Sequence, residues 1–346
     1  MSGNITQGVD LTHGANTSAC EINLKFTHAF LPPVFVVVFV VGTLSNAWGL
    51  RSVCSGWKSI GNINIFMLNL GLADLQYLLT LPFLVAYYAQ DSSWQFGQPF
   101  CKFTRFCFNL NLYGSIGFLT CISIYRYLGI VHPMRVMGKI SNHHSLVISA
   151  LVWFLVVAQI LPDVFFVKND AKKLNACYDT TSNDWIREYL PYSIGWTVTG
   201  FAIPLLVIML CYGHVVWVLA KKSNINPLLK QRCLKLVIIL LLLFSICFIP
   251  YHVLRNMNLL TRILKQQGIC HESFRNVYIA HQVSRCLACL NSAINPLIYI
   301  VGNDDFLMKL HRLSERTRMS LANLTHTIIY RKPLEVEPDS ASVTFS

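Results

Sequence analysis

Seven apolar runs, each long enough to cross a bilayer, recur near residues 28–52, 62–88, 101–131, 144–166, 188–220, 232–258 and 276–302. Crossing about 30 Å of hydrocarbon takes roughly 20 helical residues, and a helix satisfies its own backbone polar groups in lipid. With 54% of 346 residues hydrophobic and only 13% charged, few charges remain to cover a soluble surface. The pattern predicts an all-α membrane protein: a seven-transmembrane helix bundle over 28–302, preceded by a polar tail over 1–27. A short amphipathic helix opened by Asp304-Asp305-Phe306 is expected on the membrane surface over 303–312, after the seventh span, and a disordered polar tail over 313–346.

Charge sets the orientation. With the amino terminus outside, Arg51, Lys58, Arg126, Arg135, Lys139, Lys221, Lys222, Lys230, Arg232 and Lys235 fall on the cytoplasmic side, as the positive-inside rule requires. The glycosylation sequons at Asn4 and Asn16 agree. Residues 1–27 contain no apolar signal core, so the first span is expected to act as its own insertion signal. The net charge of +12 is spread over loops between apolar runs, which speaks against a nucleic-acid partner. An enzyme or transporter is disfavoured as well: the chain has no nucleophile–base pair at catalytic spacing and no internal repeat with interrupted helices.

Of twelve cysteines, Cys20, Cys101, Cys177 and Cys270 fall outside the spans on the oxidising side, where two disulfides and three pairings are open. Inside the spans the informative residues are polar. Asp74 requires partners, and Asn46, Ser115, Asn291, Ser292 and Asn295 are the natural ones. Arg105 lies one turn below Cys101; His252 and Arg255 are three apart, a spacing that Gln282 and Arg285 repeat. An arginine at the centre of a spanning helix costs about 2.5–3.5 kcal/mol. Three of them at similar depth imply compensating anions, and the planar guanidinium grips phosphate or carboxylate bidentately. Tyr113 and Tyr278 are expected to add hydroxyl donors, and Phe108 or Tyr251 a surface for a base; Asp179 and Glu188 are the competing partners for Arg255 and Arg285. Pro250 is expected to kink the sixth span and give it a hinge.

Asn46, Asp74, Cys101, Arg126, Trp153, Pro204, Pro250 and Asn295-Pro296-Leu297-Ile298-Tyr299 fall in order on the seven spans. In this the chain resembles rhodopsin-like (class A) G-protein-coupled receptors. Three further stretches, Cys177 to Ser182, Pro250 to Arg255 and His281 to Arg285, are similar to the purinergic receptors for extracellular nucleotides. That resemblance implies ligand contacts from Arg105, Tyr113, Asp179, His252, Arg255, Tyr278, Gln282 and Arg285, and disulfides Cys101–Cys177 and Cys20–Cys270. It implies a G protein at Arg126, with Tyr212, Phe248, Pro250, Asn295, Pro296 and Tyr299 as switch residues, and arrestin and receptor kinases as further partners. The form Gln282-x-x-Arg285 is like that of the Gq-coupled branch, and an adenine nucleotide, ATP or ADP, is the favoured ligand. No cofactor is implied beyond an allosteric sodium ion at Asp74, Ser115, Asn291 and Asn295. Sister receptors for dicarboxylates such as succinate also cluster arginines and are the alternative. The chain departs from the family pattern where Tyr125 replaces the acid before Arg126, where Lys230 stands in place of an acid, and where Phe248 replaces tryptophan.

Overall fold

The computed structural model describes residues 25–55, 61–133, 140–169, 175–221 and 227–296. Among them the chain forms seven helices: α1 Lys25–Ser55, α2 Asn62–Ala89, α3 Gln98–Val131, α4 Asn142–Val164 and α5 Ile186–Lys221. They are followed by α6, built from Pro227–Leu243, Phe244–Phe248 and Ile249–Gln266, and by α7, Ser273–Ile294. Six of these, α1 to α6, are long and apolar enough to cross a membrane. The described part of α7 is more polar because it carries His281, Gln282, Arg285, Asn291 and Ser292. The amphipathic helix, the tail, Asn4, Asn16, Cys20 and Tyr299 fall outside the described residues, as does the side chain of Lys230.

Burial is inverted relative to a soluble bundle. Val37, Val41 and Leu44 on α1, Leu151, Phe154 and Leu155 on α4, and Leu206, Leu210 and Trp217 on α5 are exposed. Such a belt is tolerable only where the surroundings are themselves apolar. The interior is a mixture of large apolar side chains, Leu31, Tyr77, Phe118 and Phe248 among them, with buried amides and hydroxyls. The long helix α3 is buried at intervals from Cys101 to Ser123 and packs against α2, α4 and α5.

Prolines shape α5 and α6. A proline ring collides with the carbonyl four residues back and offers no N–H. In both helices the turn before the proline widens to a π turn: Thr197–Ala202 ahead of Pro204, and Phe244–Phe248 ahead of Pro250. At Pro250, where a hinge is expected, the structure has a π turn on the preceding side. The end of α6 also differs from expectation. It continues to Gln266 rather than stopping at 258, because a helix leaving the hydrocarbon need not remain apolar.

At one end of the bundle the loop before α5 is laid across the helices. The Cys101–Cys177 disulfide ties it to α3. Trp94 N donates to Asn175 O at 2.6 Å, Tyr178 N to Lys168 O at 2.7 Å, and Ser182 N to Val167 O at 2.8 Å. Gly97, at φ +78°, makes the turn into α3 that a side chain would strain.

Candidate ligand-binding site

Beneath that loop four arginines converge. Arg105 is buried and donates from Nη2 to Cys177 O at 2.6 Å, so the disulfide-tethered strand of the loop rests on it. Arg255, only 1% exposed, donates from Nη2 to Tyr189 OH at 2.7 Å and from Nη1 to Tyr113 OH at 3.4 Å. Its guanidinium stands 5.0 Å from the centre of the Trp196 ring. Arg285, also buried, donates to Tyr88 OH at 2.8 Å and pairs with Asp179 Oδ2 at 3.3 Å. Arg262, two turns beyond Arg255 on α6, holds Asn183 Oδ1, Thr180 Oγ1 and Thr181 O at 2.7–3.1 Å.

Asp179 is the carboxylate in direct contact with this group, and its side chain is 22% exposed. Burial alone would raise its carboxyl, but Arg285 first, then His281, Arg105 and Arg262, hold it well below the usual carboxylate range. Of the two acids that compete for the arginines, Asp179 takes Arg285. Glu188, expected in the loop, lies instead in the exposed first turn of α5.

Several hydrogen-bonding groups around the arginines are buried and, among the described residues, have no hydrogen-bond partner. They are Nε of Arg105, Arg255 and Arg285, both ring nitrogens of His252 and of His281, and Oε1 of Gln282. His252 is stacked on Phe201 with ring centres 4.3 Å apart, and His281 Nε2 lies 3.9 Å from Asp179 Oδ2. Buried polar groups are ordinarily satisfied, so the cluster is incomplete as it stands. Phe108 and Tyr251 meet edge to face at 5.7 Å. The hydroxyl of Tyr278 is 3.2 Å from Thr27 Oγ1, on α1.

Sequence reasoning missed Arg262, Tyr88, Tyr189, Trp196, and the pair Asp163 and Lys168. Arg262 lay past the expected end of its span. Tyr88, Tyr189 and Trp196 carried no charge to draw notice.

Deeper in the bundle, Asp74 accepts from Asn295 Nδ2 at 2.9 and 3.1 Å, from Asn111 Nδ2 at 2.8 Å and from Ser115 Oγ at 3.4 Å. Ser115 and Asn295 are two of the expected partners, and Asn111 is an addition. Ser292 meets the side chain of Asn111, and Asn46 turns to the backbone of Gly42 and Ser292. Among the described residues the Oδ1 atoms of Asn291 and Asn295 are buried without hydrogen-bond partners. Oxygens of this kind suit a hard monovalent cation.

At the opposite end from the disulfide, Arg126 is half-buried and Ser123 Oγ donates to Tyr212 OH at 2.9 Å. Tyr125, standing in place of an acid, receives a long bond of 3.5 Å from Asn62 Nδ2. Phe248 is buried against Phe244 at the π turn, and Pro250 begins the next segment. Pro296 is buried just past α7.

Residues 50–299 match the sequence pattern of the 7 transmembrane receptor (rhodopsin family). Purinoceptor 1 of Homo sapiens is 41% identical over 321 residues, covering 90% of this chain and 86% of that protein. Purinoceptor 1 of Gallus gallus is 40% identical over 310 residues, 89% and 85% of the two chains. Purinoceptor 4 of Xenopus laevis is 36% identical over 310 residues, 88% of this chain and 57% of that one. The chain belongs to the rhodopsin family of seven-transmembrane receptors and, within it, to the purinoceptors. It is a multi-pass membrane receptor and not an enzyme.

Proposed function

We propose that this receptor is activated by extracellular nucleotides, with an adenine nucleotide, ATP or ADP, favoured, and signals through a Gq-type G protein to phospholipase C and calcium. The observation that carries the reading is the excess of positive charge beneath the loop: among the described residues four guanidiniums lie there, and Asp179, through Arg285, is the one carboxylate in direct contact with them. A buried charge without a counter-charge is costly, and a polyphosphate supplies that counter-charge. In this reading Arg105, Arg255 and Arg285 bind the phosphates, and Tyr113, His252 and Gln282 add hydrogen bonds. Asp179 shares Arg285 with the ligand, Tyr278 closes the α1 side, and Tyr251 with Phe108 offers ring surface to the base.

Ligand that binds one bundle conformation better than another shifts the balance between them, and the G protein shifts it reciprocally. Phosphate drawing α6 and α7 together outside, with α6 pivoting at Phe248 and Pro250, opens the inner end around Arg126, Tyr212, Pro296 and Tyr299. Sodium held by Asp74, Ser115, Asn291 and Asn295 favours the inactive arrangement; the unpartnered buried oxygens of both asparagines support that role. The amino terminus is outside, with Asn4 and Asn16 glycosylated. Cys270 is disulfide-bonded, and Cys20 is the partner we assign to it. Arrestin and receptor kinases act on the cytoplasmic side.

The test is intracellular calcium release on titrating ATP, ADP, UTP and succinate, with Arg285→Ala alongside. A nucleotide response that the variant loses is expected. A response to succinate alone would move the receptor to the dicarboxylate class.

A further inference from the structure

Next to the arginine cluster lies an ion pair sealed from solvent. Lys168 Nζ is 2.9 Å from each oxygen of Asp163, and the two side chains are 0% and 2% exposed. Lys168 Nζ also donates to Thr180 O, and Lys168 O accepts from Tyr178 N at 2.7 Å, so one lysine grips the loop on both sides of Asp179. Burial holds the Lys168 ammonium below its ordinary value, and Asp163 offsets only part of that shift. On its other side the carboxylate accepts from Asn109 Nδ2 at 3.3 Å and from Tyr189 OH at 2.8 Å.

Tyr189 is the link to the ligand site. While its hydroxyl donates to Asp163, it accepts from Arg255 Nη2 at 2.7 Å. Donation to a carboxylate strengthens a hydroxyl as an acceptor. Among the described residues Arg255 has no direct carboxylate partner; Asp163 reaches it only through this tyrosine. One arm of the fork is thereby fixed, leaving Nε unpartnered and Nη1 in a long bond to Tyr113. Lys168 has a second effect. By pairing with both oxygens of Asp163, it offsets the carboxylate charge that would otherwise act on Arg255.

We propose that Asp163, Lys168 and Tyr189 are positioning residues that aim Arg255 at a ligand phosphate and keep its charge available. This rests on the reading of the arginine cluster as a polyphosphate site. Two consequences distinguish it from a purely structural role. Lys168→Met leaves Asp163 free to compete for Arg255, so affinity for nucleoside polyphosphates falls about tenfold or more, as loss of a charged interaction implies. Adding Asp163→Asn removes the competitor while keeping an acceptor for Tyr189, so the double variant recovers to within about threefold of wild type, in line with the tolerance of buried pairs to joint replacement.

The experiment is competition binding of ADP and AMP to membranes carrying the full chain, with site number measured separately. Wild type, Lys168→Met, Asp163→Asn/Lys168→Met, and Tyr189→Phe with and without Arg255→Gln are compared. Expected are a tenfold loss of ADP affinity in Lys168→Met, with a smaller loss for AMP, recovery in the double variant, and no further loss from Tyr189→Phe once Arg255 is replaced. Equal ADP affinity in wild type and Lys168→Met overturns the proposal, as does a double variant no better than Lys168→Met, or additive losses for Tyr189 and Arg255. Wild-type receptor that binds neither nucleotide overturns the polyphosphate reading itself.

Discussion

Replacing Arg285 by glutamine tests the site most directly. The side chain makes one charge-assisted contact with Asp179 at 3.3 Å and one hydrogen bond to Tyr88 at 2.8 Å, and its Nε is unused among the described residues. A phosphate bound by two guanidinium arms gains roughly 1.5–3 kcal/mol per charge-assisted bond. Glutamine keeps one donor nitrogen, on a shorter chain, and no charge, so a loss of about 3 kcal/mol is expected, some two powers of ten in affinity. A Coulomb estimate agrees, since unit charges about 4 Å apart at an effective dielectric of about 20 interact by roughly 4 kcal/mol. Arg285→Lys retains the charge but not the fork, and is expected to lose about tenfold. The loss grows with the number of phosphates, because only the charged portion of the ligand feels the change. The assay is competition binding of AMP, ADP and ATP on membranes with surface receptor counted independently. Less than a threefold loss for ADP at normal expression, or equal losses for all three nucleotides, would refute phosphate binding at Arg285.

Other positions give further tests. A methyl group at Gly200, in the π turn of α5, would lie 2.6–2.7 Å from the Tyr113 ring and 2.5 Å from Gln159 Nε2. Gly200→Ala is therefore expected to cost about 1–3 kcal/mol of stability and to weaken agonist by displacing a partner of Arg255; an unchanged melting temperature counts against this. Asp74→Asn should abolish the effect of sodium on agonist affinity, and equal sodium sensitivity in both proteins removes the cation from the site. Tyr125→Asp should lower agonist-free signalling by giving Arg126 an adjacent carboxylate; basal activity equal to wild type contradicts it. Because the Asp179 carboxyl is held low, its contribution to stability is present above the ordinary carboxylate pKa of about 3.9 and is lost only as pH falls through the lower folded value. The difference in melting temperature between wild type and Asp179→Asn should stay constant from pH 8 to pH 5, and its disappearance by pH 6 would show that the arginines do not hold Asp179 charged.

What the sequence revealed depended on how local the governing physics is. Spanning helices are set by the length and polarity of a single stretch, so all seven were legible, as were Arg105, Arg255 and Arg285, which stand out against an apolar background. Asp163 and Lys168 were not. They are five residues apart at the end of α4, where charges ordinarily meet water, and their burial depends on Thr180 and Tyr189 folding back over them. Arg262 was hidden because hydropathy marks where lipid ends, whereas α6 runs on to Gln266. Tyr278 was expected as a hydroxyl donor, and its contact with Thr27 Oγ1, at 3.2 Å, joins two helices far apart in the chain. Proline announced a disturbance at 250 but not its form, and the π turn ahead of Pro204 was not foreseen.

The π turn at Phe244–Phe248 makes α6 a helix of two phases. Each residue of an α-helix advances the azimuth by about 100°, and a π turn accommodates one residue more than a regular turn does. The azimuth of the helix below Phe244 and that above Ile249 are therefore offset, and His252 and Arg255 are buried on the outer half. Removing any one residue from the turn would restore a single phase and rotate the outer half by roughly that angle, carrying Arg255 away from Tyr113 and Tyr189 toward lipid. The aim of the arginine is thus written partly in the number of residues that precede it.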